Sequence, residues 1–459
     1  MTGLFYTKRL KNDLFMKRNR YKILVAIGLV LAVSVALTPQ LCHAEYDYIK
    51  ISDPFLNKIP VAIPEFVGQS GNTAEPEVGV KVSDLTTEAL AFTGYFKMID
   101  RGAFLEDLRT KGITAGQITF KNWTDIGAEL LITGGVTVEG DLLMVEFRLF
   151  DTYKGELIFG KRYKGRLDDQ RTIVHRFCSE MMYRLTGKRG LFESEIAFVS
   201  TTTGNKEIFI SAFDGYGAKQ VTHTKSLTLF PAWSPDGASI AYTSYKKGQP
   251  DIYIERLSDQ SEHRISFKGI NITPVWVPGT SMMAATLSFE GDQEIYLLTE
   301  SGKVVKRLTH NWNIDVDPTF SPDGKKMAFV SKRFGNPQIF VQDMDSENPR
   351  RLTYEGKYNT QPDWSPAGDR IAFSGMDGGR CDIYTISPDG SGLKRLTYDA
   401  GSNESPSWSP DGSMIAFSSN RLGRWRIFVM TASGTDQRVL LELPGEQTSP
   451  AWSLAVKND

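Results

Sequence analysis

The second half of this 459-residue chain repeats a short pattern with a nearly constant period of 43 or 44 residues. Three markers recur in fixed order: a Pro-x-aromatic triplet, an Ile followed by Phe or Tyr, and an Arg-Leu-Thr type sequence. A period in the low forties, with four short strands per unit, is typical of β-propeller blades. The triplets begin at Pro231, Pro274, Pro318, Pro362, Pro406 and Pro450.

The array begins and ends in the middle of a unit. Residues 196–200 have the pattern of a second strand with no first strand before it, and residues 450–453 have the pattern of a first strand with no second strand after it. Together they make one complete unit. We therefore predict an all-β six-bladed propeller in which the N- and C-terminal strands share one blade, because closure removes exposed strand edges.

The region before the repeats has a different pattern. Residues 45–188 mix helical and strand periodicities, which predicts a separate α/β domain. The clearest helix covers residues 168–186, where apolar side chains recur every four residues and Gly187 follows as the expected C-terminal cap. The predicted organisation is thus an α/β domain at 45–188, a linker at 189–193 and the propeller at 194–459.

Residues 1–44 have the order of a secretory signal peptide. A basic stretch precedes a 15-residue apolar run at 23–37, and small residues precede a cleavage site between Ala44 and Glu45. An uncleaved membrane anchor is the alternative, and Met16 is a second possible start. No later apolar run is long enough for a membrane helix. We therefore expect an exported, soluble chain without a membrane span.

Charge and cysteine content restrict the function of the exported part. Residues 1–44 carry seven basic residues and one acidic residue, so 46 basic and 53 acidic residues remain after cleavage. This net charge of −7, with no basic tract, argues against nucleic-acid binding. The two remaining cysteines, Cys178 and Cys381, make no disulfide framework and are typical of small buried apolar residues, although their reactivity stays open.

Catalytic and metal-binding motifs are missing from the sequence. It contains no Gly-x-Ser-x-Gly elbow, no P-loop and no dinucleotide fingerprint. Its histidines lack metal-ligand spacing, and the stretch from Asp343 resembles a calcium loop but has Asn348 and Tyr354 where Gly and Glu are required. We predict that the chain is not an enzyme and has no cofactor.

The remaining candidate site is the mouth of the propeller channel. The two residues before each repeated Pro should surround one mouth, and their small, apolar and acidic side chains would suit a protein partner. An unliganded rim is the alternative. The six pairs are Leu229-Phe230, Ile272-Thr273, Val316-Asp317, Thr360-Gln361, Glu404-Ser405 and Thr448-Ser449.

The order of segments resembles the TolB family, the periplasmic propeller proteins of the Tol–Pal envelope system. The specific motifs lie in the α/β domain, at residues 132–136, 148–151 and 183–187, and the propeller adds the repeated Pro-x-Trp-Ser-Pro-Asp-Gly turn. The resemblance implies a monomeric, non-enzymatic periplasmic scaffold that supports outer-membrane integrity and cell division.

The resemblance also implies two partners. The channel mouth would bind the peptidoglycan-associated lipoprotein Pal, and the mature N-terminal segment would bind the inner-membrane protein TolA. Two other functions stay open: a peptidase or glycan-processing accessory propeller, and a propeller that binds a small ligand. The candidate residues are Phe230, Thr273, Val316, Asp317, Gln361, Glu404, Ser405 and Ser449 for Pal, and Glu45, Tyr46, Asp47, Tyr48 and Ile49 for TolA.

Overall fold

The computed structural model describes residues 58–453. The predicted signal peptide, its cleavage site at Ala44 and Glu45, and the predicted TolA segment at residues 45–49 lie outside the described residues. Among the helices within residues 58–453, none is long and apolar enough to cross a membrane.

The amino-terminal part of the described chain is an α/β domain built on one mixed sheet. Its strand order is β3-β1-β4-β5-β6, with β2 paired to β4; β1 runs parallel to β3 and β4, and β4, β5 and β6 form an antiparallel meander. The strands are β1 (Ile59–Ala62), β2 (Val67–Gly68), β3 (Phe96–Met98), β4 (Leu130–Glu139), β5 (Leu142–Asp151) and β6 (Glu156–Arg166).

Two long helices cover this sheet. Helix α4 (Gln170–Thr186) buries Ile173, Phe177, Met181 and Leu185, and the Phe177 ring stacks on Phe147 of the sheet with centroids 4.1 Å apart. The helix ends where the next residue adopts a left-handed conformation and its N–H closes the last turn. The helices are α1 (Glu75–Phe92), α2 (Leu108–Lys111), α3 (Phe120–Asp125) and α4 (Gln170–Thr186), with 3₁₀ turns at Arg101–Ala103, Ala115–Gln117 and Leu167–Asp169.

The repeats form six four-stranded antiparallel sheets, which confirms the predicted propeller. We number blades 1–5 along the chain and call the sixth the closing blade. The first strands are β10 (Thr228–Trp233), β14 (Asn271–Trp276), β18 (Asp315–Phe320), β22 (Tyr358–Trp364), β26 (Asn403–Trp408) and, in the closing blade, β30 (Gln447–Trp452). The second strands, again with the closing blade last, are β11 (Ser239–Ser244), β15 (Met282–Leu287), β19 (Lys326–Ser331), β23 (Ile371–Asp377), β27 (Met414–Ser419) and β7 (Glu195–Ser200).

The outer two strands of each blade follow the same order. The third strands are β12 (Asp251–Arg256), β16 (Glu294–Thr299), β20 (Gln338–Asp343), β24 (Arg380–Ile386), β28 (Arg426–Thr431) and β8 (Glu207–Ala212). The fourth strands are β13 (Glu262–Ile265), β17 (Val304–Arg307), β21 (Arg350–Arg351), β25 (Lys394–Arg395), β29 (Arg438–Val439) and β9 (Lys219–Gln220).

The Thr of the repeated Arg-Leu-Thr marker has a structural role at the outer edge of the blades. In four blades the Thr hydroxyl oxygen accepts a hydrogen bond from the N–H of the repeated Ile in the third strand, at 2.8–3.0 Å. The same hydroxyl donates to a buried acid or amide at the start of that strand. This side chain therefore continues the ladder where the short fourth strand ends. The Ile and Thr pairs are Ile208 and Thr222, Ile295 and Thr309, Ile339 and Thr353, and Ile383 and Thr397.

Strand β30 closes the ring by pairing antiparallel with β7, as the phase of the repeats predicts. The Trp452 indole N–H donates to the Ser194 hydroxyl at 2.7 Å, and the side chain is 4% exposed. The next residue adds two bonds to the start of β7: Ser453 N–H donates to the Glu195 carbonyl at 2.8 Å, and Glu195 N–H donates to the Ser453 hydroxyl at 3.0 Å. The last described residues are thus bonded to the first residues of the propeller.

The α/β domain packs against the closing blade and blade 5. The Phe92 ring meets Phe213 edge to face with centroids 5.1 Å apart, and the Arg438 guanidinium lies over the Phe92 ring and donates to the Phe92 carbonyl. Arg171 of α4 forms an ion pair with Asp214. One apolar core runs continuously from the α/β domain into these two blades.

This contact lies at the end of the propeller opposite the predicted mouth. Phe213 and Asp214 lie in the turn between β8 and β9. In an antiparallel four-stranded blade, the turns after the first and third strands lie at one end, and the loops after the second and fourth strands lie at the other. The α/β domain therefore leaves the mouth uncovered.

We expect Trp452→Ala to destabilise the propeller by about 3–5 kcal/mol, because it removes a buried aromatic side chain and leaves a cavity in the closing blade. Deletion of residues 450–459 should yield an aggregating or unfolded chain, because it removes the whole closing strand.

Thermal unfolding followed by circular dichroism measures the effect of both changes. The matched control is Trp312→Ala, since Trp312 is 92% exposed and should leave the melting temperature unchanged. Cooperative melting of the deletion variant near the full-length temperature would contradict the role of closure.

Candidate functional site

Each first strand is interrupted by a bulge at the repeated Pro. The register with the second strand shifts between the first residue of each predicted pair and the residue after the Pro. Proline fits there because a bulged position has no ladder partner for a backbone N–H. The second residue of every pair adopts a left-handed conformation, with φ between 49° and 60°, although none is glycine. The six residues are Phe230, Thr273, Asp317, Gln361, Ser405 and Ser449.

These bulges converge on a central channel with a volume of about 430 Å³. Two rings of side chains line it. The mouth ring consists of the six left-handed residues named above. The second ring consists of the residues between the repeated Pro and the aromatic residue, which are Ala232, Val275, Thr319, Asp363, Ser407 and Ala451.

The structure separates the two members of each predicted pair. The second members line the channel, whereas the first members, including Val316 and Glu404, do not. Val316 pairs with Val330 and packs into the core between blades 3 and 4. Glu404 is half-buried beside Cys381, and burial raises the pKa of its carboxyl while the bond with that thiol lowers it. Successive side chains of a strand point to opposite sides, so only the second member of each pair lines the channel.

Polar side chains of the second ring join neighbouring blades. In each case the side-chain oxygen accepts a hydrogen bond from the backbone N–H of the Trp in the next first strand. The same side chains therefore join neighbouring blades and line the channel. The bonds run from Trp364 to Thr319 at 3.3 Å, from Trp408 to Asp363 at 2.7 Å and from Trp452 to Ser407 at 2.9 Å.

The mouth ring has hydrogen bonds of its own across blades 3, 4 and 5. The Ser405 N–H donates to the Gln361 side-chain oxygen at 2.9 Å, and the Gln361 N–H donates to the Asp317 carboxylate. These contacts hold three successive left-handed residues in place. The Asp317 carboxylate lines the channel, where no Lys, Arg or His side chain is found among the described residues.

The second carboxyl of the channel, Asp363, was missed by reasoning from the sequence. Its pKa is raised to about 7, mainly by burial and also by the charge of Asp317, while hydrogen bonds from the Trp408 and Trp364 N–H groups act in the opposite direction. Burial also raises the pKa of Asp317 to about 6. The sequence does contain a signal for this carboxyl: Asp363 is an acid at a repeat position where the other five repeats have Ala, Val, Thr, Ser and Ala.

The channel is acidic and holds no compensating charge. Within the part of the chain that the structure describes, Asp317 and Asp363 are the only ionisable side chains that line it. Within residues 58–453, no three His, Cys, Asp or Glu side chains are grouped so that they could hold a metal ion. The arrangement suits recognition of a group that enters from the mouth.

The fold and this site define a class of proteins: six-bladed propellers with an amino-terminal α/β domain at one end and an open channel at the other. Two family models match the chain, the TolB amino-terminal domain at residues 47–158 and the TolB beta propeller domain at residues 182–456. The chain belongs to the TolB family.

Individual relatives agree with this assignment. The Tol-Pal system protein TolB of Desulfosudis oleivorans is 56% identical over 284 residues, which cover 62% of this chain and 65% of that protein. The corresponding protein of Syntrophus aciditrophicus is 38% identical over 211 residues, or 45% and 47% of the two chains. The aligned segments thus span less than two thirds of these relatives. The crystal structure of TolB from Acinetobacter baumannii matches with a TM-score of 0.76 and 27% identity, covering 86% of this chain and 97% of that one.

We expect Asp363→Asn to stabilise the chain at alkaline pH. Both channel carboxyls have folded-state pKa values above the usual 3.8, so the folded chain binds more protons than the unfolded chain between about pH 4 and 7. The stability contributed by these groups therefore falls as the pH rises through that window. Asparagine keeps an oxygen to accept the Trp408 N–H and carries no charge.

The expected melting temperature of Asp363→Asn exceeds that of the wild type at pH 8 by roughly 2–4 °C, the effect of about 1 kcal/mol, and the difference shrinks toward pH 5. Glu347→Gln, at an exposed position in the turn between β20 and β21, is the control and should keep the wild-type profile. Equal melting temperatures of Asp363→Asn and wild type at every pH would show that the carboxyl is not held at an unfavourable site.

Proposed function

We propose that this chain is a non-enzymatic periplasmic scaffold of the Tol–Pal system. It binds Pal through the channel mouth and TolA through its N-terminal segment, and so supports outer-membrane integrity and cell division. Family membership supports the assignment to this system. The single observation that carries the site is the open channel, whose mouth ring and second ring face away from the α/β domain.

The surface around the mouth supports a protein partner. Large aromatic side chains are exposed on the loops at this end: Trp312 at 92%, Phe334 at 70% and Tyr354 at 72%. They lie between β17 and β18, between β19 and β20, and between β21 and β22. Aromatic residues are enriched at protein interfaces, where they contribute large contact areas. Together with the channel they would form a wide docking face.

A second candidate function is glycan processing or hydrolysis within the channel. Two carboxyls with raised pKa values in one cavity favour it, because perturbed carboxyls cluster at catalytic sites. Incubation of the purified chain with peptidoglycan fragments decides between the two functions. We expect no product, and turnover that Asp363→Asn abolishes would replace the scaffold with an enzyme.

We expect Asp317→Lys to weaken Pal binding by more than tenfold, or about 1.4 kcal/mol, because interface energy concentrates in a few central, desolvated positions. Titration calorimetry of the exported chain with detergent-solubilised Pal from the same cell measures this, and melting curves check the fold. Glu347→Lys, on the opposite end of the propeller, should bind normally. Full affinity in Asp317→Lys would move the Pal site away from the mouth.

Deletion of residues 45–49 should separate the two partners. We expect the shortened chain to lose TolA in a pull-down from detergent-solubilised envelopes while it retains Pal, since the segment lies outside the propeller in sequence. A matched chain in which residues 45–49 are replaced by Gly and Ser tests whether side chains or length matter. Retention of TolA by both variants would place its contact elsewhere.

A further inference from the structure

The channel is an acidic pocket with apolar walls, and this combination constrains what enters it. Asp317 belongs to the mouth ring of blade 3, and Asp363 belongs to the second ring of blade 4, so the two carboxyls lie on neighbouring blades at successive positions along the channel. Their hydrogen bonds come from backbone N–H groups of Gln361, Trp364 and Trp408. No Lys, Arg or His lines the channel in the part of the chain that the structure describes.

Apolar side chains of the same two strands also line the channel. Pro318, Phe320, Pro362 and Trp364 line the channel beside the two carboxyls. A long side chain with a methylene stem and a charged head matches such a site, because the stem packs on apolar surface while the head reaches the carboxylates. Aromatic faces near the head would add a cation–π attraction.

The volume limits the size of the occupant. About 430 Å³ lies in the lower part of the range of small-ligand pockets, roughly 300–1,000 Å³. It therefore has room for an extended side chain. The loops around the mouth carry exposed charges of both signs, such as Lys247 and Arg424 beside Asp292 and Glu355.

We propose that the protein partner at the mouth inserts one Lys or Arg side chain into the channel, where its charged head pairs with Asp317 and Asp363. This inference rests on the proposed function and specifies the chemistry of the partner's contact. The inserted cation offsets the negative charge of the two neighbouring carboxyls. The pairing of this cation with the two carboxyls would fix how the partner is positioned on the mouth, because charge complementarity mainly provides specificity.

Double-mutant cycles test the proposal by titration calorimetry of the exported chain with detergent-solubilised Pal. Each surface Lys and Arg of Pal is replaced singly by Met, and each variant is titrated against wild type, Asp317→Asn, Asp363→Asn and the double variant. We expect one Pal residue whose replacement weakens binding at least tenfold against wild type and less than twofold against the double variant. Glu347→Gln is the control and should leave that tenfold loss intact.

The outcomes separate this inference from the proposed function. If Pal binds wild type but every Lys and Arg replacement acts equally on wild type and the double variant, the inserted cation is overturned and the scaffold stands. If Pal does not bind the wild-type chain at all, both are overturned. The two single Asn variants keep the cycle interpretable if the double variant melts early, because either one alone should reduce the coupling.

Discussion

The pairing of β30 with β7 is the constraint on which the rest of the structure depends. It joins residues more than 240 positions apart and converts an open row of blades into a closed ring, in which β30 and β7 pair with each other instead of leaving two unpaired edges. The Trp452 indole bonds to Ser194, directly before β7, so closure also fixes the segment that leads from the α/β domain. A central channel exists only because the ring closes, and every feature of the candidate site follows from that.

The bulge at each repeated Pro then determines what the channel presents. It shifts the register with the second strand, and two residues per blade, one from each ring, line the channel. The second ring tolerates Ala, Val, Thr, Ser and Asp, since the blade is held by its outer strands and by the Trp core. Thr319, Asp363 and Ser407 bridge blades through their side chains and face the channel as well. The second ring thus contributes both to the contacts between blades and to the surface of the channel.

The position of the α/β domain gives the molecule two separate ends. Phe92, Phe213 and Arg438 hold it against the turns of the closing blade and blade 5, within one continuous apolar core. The opposite end keeps its loops free, with exposed Trp312 and Phe334 around the acidic channel.

The sequence by itself determined the number of blades, the shared closing blade and the α/β domain, because strand length, turn chemistry and repeat phase are local properties. Only the tertiary structure decided which residues face the channel. Asp317 was expected there and lines it, Val316 and Glu404 were expected there and lie between blades, and Asp363 was not considered. The left-handed residue Ser405 donates its N–H to the Gln361 side chain of the neighbouring blade, and the raised pKa of Asp363 comes mainly from burial within the ring. Neither property can be read from local sequence, because both are imposed by neighbours about 44 residues away along the chain.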